Sequence, residues 1–441
     1  MFKSISIRRM LVAGAALSAV VAAGALLMTA HGPALAPSDA MGANMTRPSP
    51  AEVMHFWNSG SERSALDVIR AVYVQRGGTW VDTSEADNPA LRRAILERIS
   101  TNTMPTAVLW QSNVEMRDLA ELGVFGDIDS VARREHWDTL LPNAVRTRVQ
   151  SDGHYYMAPT NVHNLTWVFY NEHVLQRLHM TQPHTWPEVI EVMHRAHAAG
   201  IRAVAIGDGD WEVQIMFTGI IAGSLGPHDY DALVSHHDFS VLSKPSALNA
   251  FNTLAEIRSM VRQGGRYKGW DDASHAIAHG DAAFQFMGDW AKAEMERAGG
   301  RVGEDIGCML TPGVEHAVML TIDGFAFPAS DDPARIAARD MLADVILDRD
   351  VQARFAAEKG ALPARLDSRP RQPDRCESIL MERLADNSPA LESISAGLPS
   401  GLSGDFQALV SRFFNDPHMT PEQARADAIA LFRSALQDAT P

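Results

Sequence analysis

The sequence predicts an α/β fold with two lobes, for three reasons. The chain has 441 residues, more than a single hydrophobic core comfortably fills. Short apolar or β-branched runs alternate with longer amphipathic patterns in two separate stretches, an alternation typical of sheets wrapped by helices. No linker rich in Pro, Gly and Ser divides these stretches. We therefore expect two lobes that the chain crosses more than once, with a ligand cleft between them.

The first stretch contains three predicted strand–helix pairs. The runs VMHFW, TWVDT and TAVLW precede helical patterns at residues 62–75, 89–100 and 113–122. Strands connected through helices pair in parallel, so we expect a parallel sheet here.

The second stretch repeats this organisation. TWVFYN precedes the helical pattern HVLQRL, and RAVAIG predicts a further strand. Between them lies an amphipathic helix that Thr185 and Pro187 begin and Gly200 ends.

Helices dominate after residue 245. We predict them at residues 247–263, 291–299, 333–357 and 421–437, with one more strand in MLTIDGFAFP. The stretch FQFMGDWAKAE, residues 284–294, reads as a buried strand that passes through Gly288 into a helix. We predict that Asp289 caps the helix starting at Trp290 and that both residues face the cleft.

The N-terminus has the layout of a secretory signal. Lys3, Arg8 and Arg9 precede an uncharged run at residues 10–30, and small residues and prolines follow. We predict a signal peptide over residues 1–40, with cleavage after residue 30, 34 or 40, and a flexible N-terminus over residues 41–51. A retained membrane anchor is the alternative. Either way, the body of the protein lies outside the cytoplasm, and we expect it in the periplasm.

Composition and charge exclude several classes of protein. With 46% hydrophobic and 21% charged residues, the chain is typical of a soluble globular protein. Its formal charge is −15, and removal of residues 1–40, which carry three basic side chains and one acidic one, leaves −17. Such a charge argues against a nucleic-acid partner. Cys308 and Cys376 can form a disulfide in an exported protein or remain two buried thiols.

Tryptophan is unusually frequent, with nine residues against six tyrosines. Four of them follow or end predicted strands: Trp57, Trp110, Trp211 and Trp290. Strand ends line the ligand crevice of open α/β sheets, and an indole face can cover the C–H groups of a sugar ring. The alternative is that each is a core residue.

The sequence offers no support for an enzyme or a cofactor. His163 lies between a proline and a predicted strand and is a candidate site residue or a buried hinge histidine. Pairs such as His194 and His197, or His275 and His279, have helical spacing, but HExxH and cysteine clusters are absent, so we predict no metal site. A GxSxG elbow, GxGxxG and a P-loop are absent as well.

Five motifs together resemble a known family. In chain order they are FWNSGSE, PTNVHNLTWVFYN, HGDAAFQFMGDWA, TIDGFAF and EKGALPAR. This order is similar to that of the extracellular solute-binding proteins of ABC importers, family 1, and most like the glucose and mannose binders. The similarity covers nearly all of the chain after the signal.

The resemblance implies a two-lobed periplasmic binding protein-like fold of type II. It implies a monomeric sugar-binding protein that closes around its ligand and delivers it to the permease subunits of an ABC importer. Residues 52–160 and about 318–357 would form one lobe, and residues 161–317 and about 358–441 the other. On matching positions, the implied ligand-binding residues are Trp57, His163, Trp211, Asp289, Trp290, Asp323 and Lys359. An ion pair across the cleft is the alternative for Asp323 and Lys359.

Four positions depart from the glucose-binder pattern. Phe56 stands where those proteins have a second tryptophan, Leu96 where a lysine is expected, Ala396 where a histidine is expected, and Asn164 where arginine is common. The resemblance therefore predicts a sugar without predicting glucose. Two alternatives are a secreted carbohydrate-active enzyme and a binder of another solute, such as a polyol, a glycerophosphodiester or a metal.

Overall fold

The computed structural model describes residues 48–370, 372–386 and 388–437. The predicted signal peptide and the first part of the predicted flexible segment lie outside these residues. Across the described helices, none is both long enough and apolar enough to span a membrane.

Thirteen strands form the sheets: β1 (Ala51–His55), β2 (Trp80–Ser84), β3 (Ala107–Gln111), β4 (Gln150–Ser151), β5 (His154–Tyr155), β6 (Met157–Asn164), β7 (Trp167–Asn171), β8 (Arg202–Val204), β9 (Ala282–Met287), β10 (Ile306–Leu310), β11 (Val318–Ala326), β12 (Leu362–Pro363) and β13 (Ala390–Leu391) within the described residues. The described α-helices are α1 (Gly60–Gln75), α2 (Asn88–Thr101), α3 (Val114–Glu121), α4 (Asp129–Arg134), α5 (Trp137–Leu140), α6 (Asn143–Arg146), α7 (Glu172–Arg177), α8 (Trp186–Ala198), α9 (Asp210–Leu225), α10 (Pro227–Val234), α11 (Pro245–Gly264), α12 (Trp270–His279), α13 (Ala291–Arg297), α14 (Pro333–Ile346), α15 (Arg349–Lys359), α16 (Arg375–Ala385), α17 (Ile394–Gly397), α18 (Ser400–Asn415) and α19 (Pro421–Gln437). A 3₁₀ helix spans Phe239–Ser243.

The first sheet has the strand order β12-β6-β11-β3-β1-β2, and β13 pairs with β11. β1 is parallel to β2 and β3, as the strand–helix pairs predict. The prediction of parallel pairing for these three strands is confirmed. β11 is antiparallel to β3 and β6, so the sheet as a whole is mixed. β6 and β11 are not connected to their neighbouring strands by a crossover helix, so they need not run parallel to them. In this sheet Asp323 lies opposite Gln111 on one side and Asn161 on the other.

The second sheet has the strand order β10-β7-β9-β8. β7 is antiparallel to both β10 and β9, and β8 is parallel to β9. Only residues 165 and 166 separate β6 in the first sheet from β7 in the second. The chain returns to the first sheet between β10 and β11. The two sheets therefore meet closely where β6 passes into β7.

We name the part built on the first sheet lobe 1 and the part built on the second sheet lobe 2. The boundaries of these lobes remain a proposal. Residues 161–164 and 362–363 pair within the first sheet. The lobe boundaries that the resemblance implies had assigned these residues to lobe 2. We place them in lobe 1, with α1 and α15, which pack against each other. The C-terminal helices α18 and α19 pack on α9 and α11 of lobe 2.

Several predicted helix starts coincide with side-chain caps. Thr185 forms a capping box with Glu188 at the start of α8, and Asn113 caps α3. The predicted single helix at residues 333–357 is wrong, because α14 ends at Ile346 and α15 begins at Arg349. The side chain of Asp348 accepts from the backbone N–H groups of the next turn and so starts a second helix.

Cys308 and Cys376 form a disulfide, with 6.0 Å between their Cα atoms. The bond joins β10, in lobe 2, to the first turn of α16. Of the two possibilities that the sequence left open, the structure has the bridge.

Candidate functional site

The candidate site lies where β6 leaves the first sheet. His163 is the penultimate residue of β6, and its Nδ1 pairs with the carboxylate of Asp289, which follows β9 in lobe 2. The backbone N–H of Asn164 donates to the other carboxylate oxygen of Asp289 at 3.1 Å. His163 is fully buried and Asp289 is 3% exposed. A carboxylate from lobe 2 is therefore held against the strand through which the chain leaves lobe 1.

Asp289 does not cap the helix that follows it, so this prediction is wrong. α13 begins at Ala291, its N-cap position is Trp290, and no side-chain hydrogen bond caps it. The carboxylate is instead used by the imidazole of His163 and by the backbone N–H of Asn164. Both donors are buried, and leaving a buried donor without an acceptor costs about 1–3 kcal/mol.

A second carboxylate lies on the other side of the imidazole. Nε2 of His163 is 3.3 Å from Oδ2 of Asp323, within ion-pair distance but without the alignment of a hydrogen bond. Burial disfavours the imidazolium, but the charges of Asp289 and Asp323 outweigh it and raise the pKa of His163. Burial also acts to raise the pKa of Asp323, but His163 and Lys359 outweigh it and the pKa is lowered. The arrangement favours an imidazolium between two carboxylates.

Lys359 and Trp57 form the adjoining part of the site in lobe 1. Nζ of Lys359, the last residue of α15, lies 5.1 Å from the centre of the Trp57 ring and 3.0 Å from Oε1 of Glu62. Trp57 packs against Phe325 and Phe355, with ring centres 5.9 and 5.5 Å away. Lys359 therefore forms an ion pair with Glu62. The sequence had suggested an ion pair between Lys359 and Asp323 as the alternative to ligand binding.

Sequence reasoning missed Glu62 as a site residue. Its carboxylate accepts from the backbone N–H groups of Asn58 and Ser59, at 3.0 and 3.1 Å, as well as from Lys359. Ser59 and Glu62 form a capping box at the start of α1. The signal was present in the motif FWNSGSE as a serine followed three residues later by a glutamate.

The tryptophans predicted at strand ends have different surroundings. Trp290 meets the His163 ring edge-to-face at 5.0 Å and is 8% exposed. Trp110 packs against Phe125, with ring centres 5.7 Å apart, as a core residue would. Trp211, at the start of α9, is 37% exposed. None of the hydrogen bonds, ion pairs or ring contacts between described residues joins it to the other six predicted site residues.

Gly288 allows Trp290 to take its position. A Cβ atom at Gly288 would lie 2.1 Å from the indole ring. The indole therefore folds back over the turn that precedes α13, and only a glycine leaves room for it.

Two buried side-chain amides of β6 have donors with no acceptor among the residues that the structure describes. They are Nδ2 of Asn161 and Nδ2 of Asn164. The orientation of the Asn161 amide is set by Thr160, whose hydroxyl donates to Oδ1 at 2.7 Å. Buried donors are nearly always paired, so unpaired ones indicate contact with a ligand or with water. Asn161 was missed, although it lies two residues before His163 and therefore on the same face of β6.

Comparison with known proteins identifies the family of this chain. Residues 71–375 match the family model described as "Bacterial extracellular solute-binding protein". The chain belongs to this family. A "Probable sugar-binding periplasmic protein" of Rhizobium meliloti is 31% identical over 392 residues, covering 87% of this chain and 94% of the relative. A protein of the same description from Brucella suis is 30% identical over 401 residues, covering 89% and 94%.

Solved structures show the fold of this solute-binding protein. A "Chitin oligosaccharide binding protein" superposes with a TM-score of 0.76 at 14% identity, covering 89% of this chain and 99% of the other. UgpB from Mycobacterium tuberculosis, solved with glycerophosphocholine, superposes with a TM-score of 0.70 at 16% identity, covering 89% and 100%. The predicted two-lobed periplasmic binding protein fold is confirmed.

The side chains of this solute-binding protein's candidate site can both accept and donate. Carboxylates of Asp289 and Asp323 accept hydrogen bonds, whereas Lys359, His163 and Asn161 donate them. No group of three or more residues suited to hold a metal ion occurs in the described part of the chain. Together with the indoles, these groups suit a ligand that has several hydroxyls and a flat apolar face.

Proposed function

We propose that this solute-binding protein captures a mono- or oligosaccharide between its two lobes and delivers it to an ABC import permease. The observation that carries the proposal is the meeting of indoles, carboxylates and cationic side chains from both lobes at the end of β6. Names of relatives support it, because two proteins about 30% identical over most of their length are described as probable sugar-binding periplasmic proteins.

Each lobe contributes part of the proposed site. Lobe 1 provides Trp57, Asp323 and Lys359, and lobe 2 provides Asp289 and Trp290. His163 stands between them on the strand that leads from one lobe to the other. A sugar hydroxyl can donate to a carboxylate and accept from a lysine or amide at the same time, so donors and acceptors close together suit it.

Trp211 is the proposed site residue that stands apart. At 37% exposure, its indole is available to cover a sugar ring or a second ring of an oligosaccharide. Burial of that face on ligand binding would add to the affinity.

The sugar is not assigned to glucose. Leu96, where glucose binders have lysine, is 60% exposed, and Ala396, where they have histidine, is buried and apolar. Proteins of the same fold include a chitin oligosaccharide binding protein, RafE in complex with raffinose, and UgpB in complex with glycerophosphocholine. We propose a saccharide from this range of sizes.

Location and partners follow from the same proposal. We place the mature protein in the periplasm as a monomer that binds no nucleic acid and no cofactor. Ligand contacts made only when both lobes meet would favour a closed shape, which the permease subunits recognise. The sugar leaves chemically unchanged, because the protein is a binder and not an enzyme.

Titration calorimetry tests this proposal. The probes are D-glucose, D-mannose, D-galactose, maltose, raffinose, N,N′-diacetylchitobiose and glycerophosphocholine, each with and without a chelator. We expect saturable heat with at least one saccharide and recovery of that saccharide intact by chromatography. Cleaved product would support the carbohydrate-active enzyme, heat with glycerophosphocholine alone would support the other solute, and heat with none would reject the proposal.

Two variants connect the heat to the proposed residues. Lys359→Met removes a donor and keeps the length of the side chain, and it should weaken sugar binding about tenfold or more. Asp331→Asn, an exposed residue of the loop before α14, should leave the affinity unchanged.

A further inference from the structure

The lobes touch at a second place, one helical turn beyond Trp290. The backbone N–H of Ser61, in the first turn of α1, donates to Oε1 of Glu294 on α13 at 2.7 Å. α1 follows β1 of the first sheet, whereas α13 follows β9 of the second. Glu294 is only 3% exposed, so this contact joins the two lobes in a buried position.

The contact combines a hydrogen bond with the electrostatics of a helix end. A first-turn N–H has no partner within its own helix, and the N-terminus of a helix carries a partial positive charge. Burial acts to raise the pKa of Glu294, but the N–H of Ser61 and the neighbouring side chains outweigh it and lower the pKa. The carboxylate is therefore ionised at neutral pH, which is the form that a helix N-terminus attracts.

Glu294 is also held by neighbours in its own lobe. Nε2 of His275, on α12, lies 3.2 Å from Oε2 of Glu294, and Nε of Arg297 lies 3.8 Å from the same oxygen. Both carboxylate oxygens thus have protein partners without any sugar hydroxyl.

Arg297 extends the contact across to α1. Its guanidinium lies within 3.5 Å of the hydroxyl of Ser64. Gly60 makes this approach possible, because a Cβ atom there would lie 2.7 Å from Nε of Arg297. A groove of about 610 Å³ opens beside these residues, lined by Gly60, Asp271, His275, Glu294, Arg297 and Ala298. Water can therefore reach this edge of the contact.

We propose that Glu294 is a closure latch: its carboxylate binds the N-terminus of α1 only when the lobes are together, and so adds to the stability of the closed shape. The inference rests on the proposed function, since closure around a sugar is what the latch assists. Glu294 acts on the position of the lobes and does not touch the sugar. Its loss therefore weakens binding by making closure less favourable.

Hydrogen exchange tests the latch with the panel saccharide at saturation and, if no probe binds, on the protein alone. In the full-length mature protein, Glu294→Ala leaves the amide of Ser61 without its acceptor, and we expect the peptide that contains it to exchange about tenfold faster. Glu294→Gln keeps an acceptor oxygen but not the charge, so it should give an intermediate rate. Glu358→Gln, an exposed residue at the end of α15, is the matched control and should change nothing.

Scattering and calorimetry then test the effect on closure. With the panel saccharide that gives the largest heat, Glu294→Ala should raise the Kd about tenfold, equivalent to 1.4 kcal/mol, mainly through faster dissociation. Glu294→Gln should lie between this variant and the wild type. A merely structural role would lower the unfolding midpoint and leave the Kd and the radius of gyration of the folded protein unchanged.

The outcomes separate the latch from the proposed function. If the wild type binds none of the probes and Glu294→Ala still exchanges faster at Ser61, the latch contact is supported and sugar binding is rejected. A wild type that binds and compacts, with variants that bind, compact and exchange identically, rejects the latch and leaves sugar binding intact. If Glu294→Ala does not fold, the Glu294→Gln variant gives the same decision from the smaller shift.

Discussion

His163 is the residue to which both predicted carboxylates of the site connect. It pairs with Asp289 from lobe 2 on one side and lies 3.3 Å from Asp323 of lobe 1 on the other. The motifs around these three residues were sufficient to name them as candidates from the sequence. Their mutual contacts could not be predicted, because residues 163, 289 and 323 come together only through the pairing of distant strands.

Replacing the buried carboxylate of Asp289 should affect both stability and binding. Asp289→Asn keeps the size of the side chain but leaves a buried imidazolium without one of its counter-charges. Breaking a buried ion pair on one side costs about 3 kcal/mol or more, so the free energy of unfolding should fall by that amount. Urea unfolding measures the stability, and calorimetry with the same saccharide measures a Kd that should rise at least about tenfold.

Asp331→Asn is the control for this substitution, because Asp331 is exposed to solvent. An Asp289→Asn variant with unchanged stability would mean that the His163 pair adds nothing to the fold. Unchanged affinity in the same variant would remove Asp289 from the proposed site.

The raised pKa of His163 predicts a dependence of stability on pH. Its pKa in the folded protein lies above the ordinary value of 6.5, because the two carboxylates outweigh burial. The stabilisation is therefore fully present below pH 6.5 and is lost as the pH rises through the folded pKa. We expect the free energy of unfolding of the wild type to fall in that range above pH 6.5, and that of His163→Gln to fall less.

Glu212 provides a check on this interpretation. Burial raises its pKa from 4.5 to about 7, although the N–H groups of Gly207 and Gly209 oppose the shift. Deprotonation of Glu212 also lowers the free energy of unfolding as the pH rises, but it does so between pH 4.5 and about 7. Urea unfolding at intervals from pH 5 to 9 separates the two groups. Identical slopes above pH 7 in the wild type and His163→Gln would contradict the assignment to His163.

At the scale of the elements, the sequence was most informative where a cap or a proline marks an end. The helix predicted from Thr185 and Pro187 is α8, which begins at Trp186 with a capping box on Thr185. The pattern at residues 333–357 was less informative, because hydrophobic periodicity continues through Asp348 while the backbone does not. The direction of β6 and β11 was also beyond prediction, since strand patterns carry no information about which neighbour a strand joins.

The disulfide between the buried residues Cys308 and Cys376 should add to the stability of the fold. It closes a segment with a sequence separation of 68 residues. On the chain-entropy view, a loop of that length stabilises the folded state by about 4 kcal/mol. The Cys308→Ser, Cys376→Ser double variant should lose about that much free energy of unfolding in urea.

The control for this prediction is the wild type in reducing agent, which should unfold at the same urea concentration as the double variant. Sugar binding should persist under conditions where the variant remains folded, because neither cysteine contacts the proposed site residues. Equal stability of oxidised and reduced wild type would show that the bridge does not constrain the unfolded chain.

At the scale of the whole molecule, the resemblance of five motifs predicted the two-lobed fold, and this is confirmed by the structural neighbours. The motifs could not predict how the two lobes are positioned relative to each other. They depend on contacts between residues far apart in the chain, such as Ser61 with Glu294 and His163 with Asp289. These are contacts across a junction, where no local pattern in the sequence reports the partner.

Closure itself predicts an energetic coupling between the lobes. Lys359 belongs to lobe 1 and Trp290 to lobe 2, and they have different neighbours: Lys359 contacts Trp57 and Glu62, and Trp290 contacts His163. If one sugar bridges both lobes, losing either residue already disfavours the closed state, so the second loss costs less. A double-mutant cycle with Lys359→Met and Trp290→Phe should therefore show a coupling of about 0.5–3 kcal/mol in sugar binding.

The matched cycle pairs Lys359→Met with Asp331→Asn, whose effects on binding should add within about 0.5 kcal/mol. Scattering on the same proteins connects the energy to shape. The wild type should compact on binding, and the double variant should bind weakly with a smaller decrease in its radius of gyration. Additive effects of Lys359→Met and Trp290→Phe, with full compaction in each, would mean that the sugar is held by one lobe and that closure does not depend on groups from both.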